Sequence, residues 1–248
     1  MDNAVVKSVG RVFEVLELFD SVRKPLTATE VGRNLGYPAS STLALLKSMV
    51  KLGYMAFSRT NRLYFPTVRV SMLARWIENE LFGEGRLMAL LEDLRTKTGE
   101  TVSLCLQNDL EMQLVHNLVG ENFSIAMKAG ETVPLFSTAV GIMALSDRPD
   151  KEIAKLVERH NRRSKGSQSK VDLAQLMQAV RRSRSQGYTI AHETHVAGIS
   201  GIAFVLKPRT GGRSAVVCFV GLTHRIKAAE AAIIKIARSA LKQFHAMA

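Results

Sequence analysis

Two cysteines in 248 residues, Cys105 and Cys218, are too few to build a disulfide framework. They lie far apart, have no CxxC partner and sit inside apolar runs, so buried thiols in a reducing cytoplasm are expected. No His/Cys cluster has zinc-ligand spacing, and no metal or cofactor is expected. No apolar run reaches the roughly 18 residues that span a bilayer, and the N-terminal MDNAVVKSVGR lacks a signal-peptide core. Neither a Walker loop nor GxGxxG is present. The most informative scarcity is of acid. Between Val31 and Ile77 there is no Asp or Glu, while Arg33, Lys47, Lys51, Arg59, Arg62, Arg69 and Arg75 fall inside the span. A merely solvated surface mixes both signs; a field of one sign points to a polyanion. Across the chain, 34 Lys and Arg against 22 Asp and Glu give +12, which favours nucleic acid first and a membrane surface second. Hydrophobic residues make up 46% of the chain, enough for a core and against global disorder. The length allows one large or two small domains.

The acid-free span contains LTATEVGRNLGYPASSTLALLKSMVKLGY, Leu26 to Tyr54. Thr27 and Glu30 have capping-box spacing. Val31 and Leu35 share a face, Gly36 can end the helix, and Pro38 suits the first position of the next. That second helix is predicted from Ala39 to Leu52, with Thr42, Leu45, Leu46, Met49 and Leu52 inward. Its other side, Ser40, Ser41, Ala44, Lys47, Ser48 and Lys51, is a slim positive ridge that suits a DNA major groove. An ordinary amphipathic helix with a solvated face gives the same pattern. Tyr54 to Phe65 reads as two strands around Thr60-Asn61, a hairpin wing flanked by Arg59 and Arg62.

Taken in order, Ser8–Asp20 is a predicted helix with Val9, Val12, Phe13, Leu16 and Phe19 on its packing stripe. Val68–Phe82 is another, carrying Val70, Leu73, Ile77 and Leu81 with Trp76. It reads as a linker and dimer contact, or alternatively as a cap on its own domain. Gly83-Glu84-Gly85 marks a boundary. The divisions are 1–67, 68–84 and 85–248. In the last, helices are predicted at Arg86–Thr98, Ser137–Ser146, Asp150–His160, Asp172–Gln186 and Arg225–Phe244. Strands are predicted at Thr101–Gln107, Met112–Val119, Phe123–Lys128, Tyr188–Ala191, Ile199–Leu206 and Ser214–Val220. Asn161–Lys170 is expected to be a mobile basic loop, and Lys207–Arg213 a Gly-rich turn. Hairpins with helices grouped around them indicate an α+β class.

Several catalytic patterns fail on inspection. Gly198-Ile199-Ser200-Gly201 lacks the glycine two residues after the serine that a nucleophile elbow needs, because Ile202 is there. Ser48-Met49-Val50-Lys51 has SxxK spacing but no SDN or KTG partner. His192, Glu193 and His195 could form an acid–base or metal group, though a polar loop is the commoner meaning and a fourth ligand is lacking. His116 and His224 are isolated. No nucleophile–base pair is visible, so an enzyme is not expected.

GYPASSTLALLKSMVKLGY with its short basic wing resembles the winged helix of IclR-type bacterial transcriptional regulators. GETVSL, AGETVPLFSTAVGIMAL, SQGYTIAHETHVAGISGIAFVL and the run before Gly221 resemble, in order, their effector-binding domain. The resemblance spans about Ser8 to Phe244. It implies a winged helix-turn-helix, a linker helix and a GAF-like α/β effector domain with a mainly antiparallel sheet. It also implies a homodimer or tetramer, a double-stranded DNA operator, a small-molecule effector, often an organic acid, and transcription control. Candidate DNA contacts are Thr27, Ser40, Ser41, Ala44, Lys47, Lys51, Arg59 and Arg62. The family's basic residues on the recognition helix are replaced here by Ala39, Leu43 and Ala44. Base readout then falls to the serines, Lys47, the wing, groove shape and apolar contact to a thymine methyl. Candidate effector contacts are Leu118, Met127, Leu135, Ser137, Thr138, Ala139, Val140, Gly141, Ile142, Ile190, Glu193, Gly201, Cys218 and Val220. Most polar groups that hold small oxo-acids in the family are absent. A pocket with one anion-binding helix start and an apolar body is expected, suited to an aromatic or longer-chain acid. A cavity filled by its own side chains is the alternative.

Overall fold

The structure, a computed structural model, describes residues 6–73, 85–121, 127–164, 170–210 and 213–246. The chain divides into two compact units, Met1–Glu78 and Asn79–Ala248.

In the first unit, helices α1 (Lys7–Val22), α2 (Ala28–Leu35) and α3 (Ala39–Lys51) surround a core closed by β1 (Leu26–Thr27), β2 (Met55–Ser58) and β3 (Leu63–Pro66). The strands form an antiparallel sheet in the order β1-β3-β2. Helix α2 begins with a complete capping box. Thr27 Oγ1 accepts from the Glu30 amide at 3.2 Å, and Glu30 Oε2 accepts from the Thr27 amide at 2.7 Å. That backbone hydrogen bond, with one from the Thr27 hydroxyl, holds the Glu30 carboxyl below its ordinary range. Gly36 ends α2 at φ 68°, a conformation glycine adopts without strain.

Three expectations need correction. Pro38 is the N-cap of α3, outside the helix, and its carbonyl accepts from the Thr42 amide. Helix α1 buries Val15 and Phe19, with Val12 and Leu16 half-buried, while Val9 and Phe13 face outward. The helical turn puts Phe13 more than 90° from Val15 and Phe19, and Val9 lies in the first turn. Leu52, past the end of α3, is exposed. Strand β1 had no counterpart in the sequence reading, because two residues carry no periodicity. Residues 68–73 are helical; the remainder of the linker helix predicted to Phe82, with Trp76, lies outside the described residues, as do Gly83 and Glu84.

The second unit is one antiparallel six-stranded sheet, ordered β6-β5-β4-β9-β8-β7, with helices on both faces. Its strands are β4 (Thr101–Asn108), β5 (Glu111–Leu118), β6 (Thr132–Pro134), β7 (Thr189–His192), β8 (Ile199–Thr210) and β9 (Arg213–Leu222). Helices α4 (Arg86–Thr98) and α8 (Thr223–Ala246) cover one face, over Val102, Leu104, Ile202, Phe204, Val217 and Phe219. Helices α5 (Ala139–Ser146), α6 (Asp150–Arg163) and α7 (Leu173–Gln186) cover the other, over Cys105, Met112, Leu114, Ala203, Val216 and Cys218. The Asp172 side chain caps α7 by accepting from Ala174 and Gln175 amides. Glu100, nearly fully buried, takes two hydrogen bonds from Arg225, the shorter 2.7 Å, and ties the sheet to the start of α8. Gly221 leaves room for that carboxylate, since a Cβ there would lie 2.6 Å from Glu100 Oε2.

The strand predicted at Phe123–Lys128 falls largely on undescribed residues, and Met127 and Lys128 belong to no strand. The edge strand β6 was not foreseen. The turn expected over Lys207–Arg213 is shorter, because β8 runs to Thr210, which pairs with Arg213 at the start of β9 after a register shift beyond Leu206. Asn161–Arg163, expected in a loop, extend α6, and the Asn161 amide exchanges two hydrogen bonds with Val171. No helix among the described residues is long and apolar enough to cross a membrane.

Candidate nucleic-acid interface and effector cavity

The first unit presents a concave surface between α3 and the wing. It is lined by Thr27, Ala28 and Thr29 at the start of α2, by Leu43 of α3, and by Phe57, Arg59, Arg62 and Tyr64 of the hairpin. Ser58 pairs with Leu63, so residues 59–62 form the tip. Arg62 holds φ 55° there, in the left-handed region. Phe57 stacks on Tyr64 at 4.6 Å between ring centres, which stiffens the wing beneath its arginines. Thr27, Arg59 and Arg62 are thus brought together. Ser40, Ala44, Lys47 and Lys51 lie along the exposed side of α3, and Ser41 is half-buried. The Ser41 and Ser48 hydroxyls donate to Pro38 and Ala44 carbonyls of their own segment, both at 2.9 Å. The Thr27 hydroxyl is engaged in its cap.

The second unit contains a cavity of about 120 Å³ between the sheet and α5. Its floor is Ser103, Cys105, Met112, Leu114, Gly201, Cys218 and Val220 on the strands. Thr138, Ala139 and Val140 close one end, where α5 begins. The turn after β7 supplies Thr194, His195 and Val196. Of the anticipated contacts, Met127, Thr138, Ala139, Val140, Gly201, Cys218 and Val220 line this space. Leu118, Leu135, Ser137, Gly141, Ile142, Ile190 and Glu193 do not.

All but Ser137 of these have a physical reason. Leu104 pairs with His116 but Cys105 pairs with Leu114, so Val115 is an extra residue in β5. That bulge turns Leu118 onto the opposite core, under α4 and α8, and brings Asn117 beside Ser103. Ser103 donates to Asn117 Oδ1 at 2.7 Å, and Asn117 holds the Met127 carbonyl at 3.2 Å. Ile190 belongs to the face opposite its neighbour Ala191, as strand alternation requires. Leu135 is fully buried behind α5, and Gly141 allows that approach: a Cβ there would lie 1.9 Å from the Leu135 carbonyl oxygen. Ile142 packs into the core of that face, and Glu193, at φ 55°, turns the chain out of β7.

The α5 start is capped by Thr138, whose hydroxyl accepts from Gly141 at 3.2 Å and donates to Pro134 at 2.7 Å. The first amides of a helix have no carbonyl within it to bond, and Thr138, Ala139 and Val140 at this helix start line an end of the cavity. Burial pushes the Cys105 thiol up to about 12. The Cys218 thiol is raised well above its ordinary value by burial and by the neighbouring Cys105. Both are therefore uncharged wall groups.

The β7–β8 register pairs His192 with Ser200, which sequence separation alone could not show. His192 Nδ1 lies 2.9 Å from Ser200 Oγ, and that hydroxyl donates to Thr223 Oγ1 at 2.9 Å. His192 Nε2 is 4.0 Å from Glu230 of α8. Ser200 also borders the cavity, so this chain of hydrogen bonds runs from the cavity edge toward α8. Of His192, Glu193 and His195, His195 lines the cavity, while His192 lies against Ser200 and Glu230. Among the described residues no three His, Cys, Asp or Glu side chains gather as a metal site. The residues missed by sequence reasoning, including Cys105, Met112 and Leu114, carry an alternating apolar signal; which face opens on a cavity is set by strand pairing.

The IclR helix-turn-helix domain profile matches residues 8–57, and the bacterial transcriptional regulator IclR C-terminal profile matches residues 86–245. The HTH-type transcriptional regulator XynR of Escherichia coli K12 is 23% identical over 229 residues, covering 92% of this chain and 91% of its own. KdgR of the same strain is 25% identical over 209 residues, covering 83% and 78%. Among solved structures, Thermotoga maritima IclR has a TM-score of 0.64 at 19% identity, over 97% of this chain and 96% of that one. An IclR homolog from Microbacterium hydrocarbonoxydans, complexed with 4-hydroxybenzoate, has a TM-score of 0.61 at 18% identity, over 96% and 97%. The winged unit, the helix-covered antiparallel sheet and the two profile matches lead to one conclusion: this chain belongs to the IclR family of bacterial transcriptional regulators.

Proposed function

We propose that this regulator grips a duplex operator with its winged unit as a homodimer and answers to a single-ring aromatic carboxylic acid. The observation that carries the effector class is the cavity. An apolar space of about 150 Å³ holds a benzene ring, and this one, at about 120 Å³ and bordered by the β7–β8 turn, is of that order. Its walls are chiefly apolar, and the helix start at Thr138–Val140 supplies the place for a carboxylate. The 4-hydroxybenzoate in the Microbacterium homolog supports the same class. For the operator, Arg59, Arg62, Lys47 and Lys51 contact phosphates while Ser40, Leu43 and Ala44 face the groove. A second copy is supported by exposed Val9, Phe13, Val68 and Met72, apolar surface left uncovered within the first unit. The effector unit is a binding module and not an enzyme, acting in the cytoplasm where the operator is. Its ligand switches DNA affinity only if it favours one arrangement of the dimer.

Gel shift on the protein's own upstream DNA, with and without benzoate-class acids, tests the whole reading. An acid that changes operator affinity and raises thermal stability supports it; a panel in which no aromatic acid does either rejects the effector class. Replacing Arg59 and Arg62 with alanine is expected to weaken binding to all sequences. It should also lower the slope of log affinity against log salt by about 2. An unchanged slope rejects the wing contacts.

A further inference from the structure

We infer that Leu43 reads the operator by contact with the C5 methyl of a thymine, so that an apolar side chain and not a hydrogen-bonding one sets base preference at the centre of each half-site. The inference rests on the DNA-binding reading above. Helix α3 exposes Ala39, Ser40, Leu43, Ala44, Lys47, Ser48 and Lys51. No arginine, asparagine or glutamine is among them, so the planar fork that pairs with guanine and the amide that pairs with adenine are both missing, and only the two lysines carry charge. The Ser48 and Ser41 hydroxyl protons are taken by carbonyls of the helix itself, and Thr42 is buried and donates to Pro38. Lys47 and Lys51 are flexible cations suited to phosphate. What remains at the middle of the helix is Leu43, with 38% of its surface exposed, between the small Ala39 and Ala44.

Its surroundings specify the partner. Leu43 lines the concave surface together with Phe57, itself 39% exposed, and with the guanidinium-bearing Arg59 and Arg62. The two cations draw in a polyanion, while Ala28, Leu43 and Phe57 supply hydrocarbon beside Thr27, Thr29 and Tyr64. Of the groups at base edges in a major groove, the thymine methyl is the apolar one. Ala39, one turn before Leu43, and Ala44, next in sequence, are small, which lets the helix approach closely enough for that contact. If Leu43 were only a buttress for Phe57 and the wing, its loss would affect all DNA alike.

The test uses the full-length chain. Duplexes are selected from a randomised pool, and each thymine of the bound sequence is then replaced singly by uracil, which removes only the methyl. Loss of about fourfold in affinity is expected at one thymine per half-site, the worth of one buried methyl. Leu43→Ala should bind thymine and uracil equally there, with an unchanged salt slope that shows the winged unit still folded and gripping. Leu43→Met, which keeps the apolar reach, should restore the discrimination. Indifference to uracil at every position, or a sensitive thymine that remains sensitive in Leu43→Ala, overturns the inference and leaves the DNA-binding reading standing. Absence of salt-sensitive affinity for any duplex removes both.

Discussion

Gly201 lies on β8 opposite Ala191 on one side and Val220 on the other, at the cavity floor. A Cβ there would come within 3.2 Å of Cys218 Sγ and 3.7 Å of the Ala139 methyl. On the proposed reading, the space that the missing side chain leaves is taken by the effector. Gly201→Leu is therefore expected to abolish the thermal shift given by a bound acid at concentrations that saturate the parent. DNA affinity without effector should stay within about threefold, on the order of 0.6 kcal/mol, as for a distant uncoupled site. Retained effector binding in this variant would place the ligand elsewhere. Cys105 and Cys218 bear on the same wall differently. With both thiols held protonated by burial, neither invites oxidation or metal, and their sulfur is packing material.

At the scale of elements, α8 is fastened at both ends. The Thr223 amide donates to Gly198 at 2.8 Å, Arg225 holds Glu100, and near the far end His245 Nε2 accepts from the Lys207 amide at 3.1 Å. Arg86 of α4 donates to the Phe244 carbonyl at 3.0 Å. Burial, then the charge of Lys207, lower the His245 pKa below 6.5. Protonation removes the acceptor that the Lys207 amide uses. A depressed folded-state pKa means that this contribution is fully present above 6.5 and is lost as pH falls through the lower folded value. Relative to His245→Gln, which does not titrate, the parent is expected to lose up to about 1 kcal/mol on going from neutral to acidic buffer, the net worth of one partly exposed hydrogen bond. Parallel stability curves for the two proteins would refute this. Elements with capping chemistry were readable from the chain alone. Thr27 with Glu30, Asp172, Gly99 and Gly187 are local signals, and the helices they bound fall within a residue or two of expectation. Elements that exist by pairing were not. β1 and β6 have two and three residues and owe their form to Tyr64 and Met112 on neighbouring strands.

At the scale of the molecule, the winged unit has its own core of Val15, Phe19, Val31, Leu46, Met49 and Tyr64, while the effector unit has one on each side of its sheet. Separate cores predict separate melting. Calorimetry should resolve two transitions, and an effector at about a hundred times its Kd should raise only that of the larger unit, by about 2.7 kcal/mol. A single transition that moves as one would show the units to be thermodynamically fused. The division into a basic winged front and an α+β remainder was legible because charge and helix period are additive along a chain. The cavity was legible only in part because its wall is assembled across strands, where one bulge rearranges the faces. That surplus residue, Val115, has a consequence for comparing relatives. Two proteins with the same letters from Met112 to Leu118 can turn either an amide or a leucine toward a ligand, according to where the strand takes up its slack. Ligand chemistry can diverge there without a single substitution, and matching letters in an alignment do not transfer it.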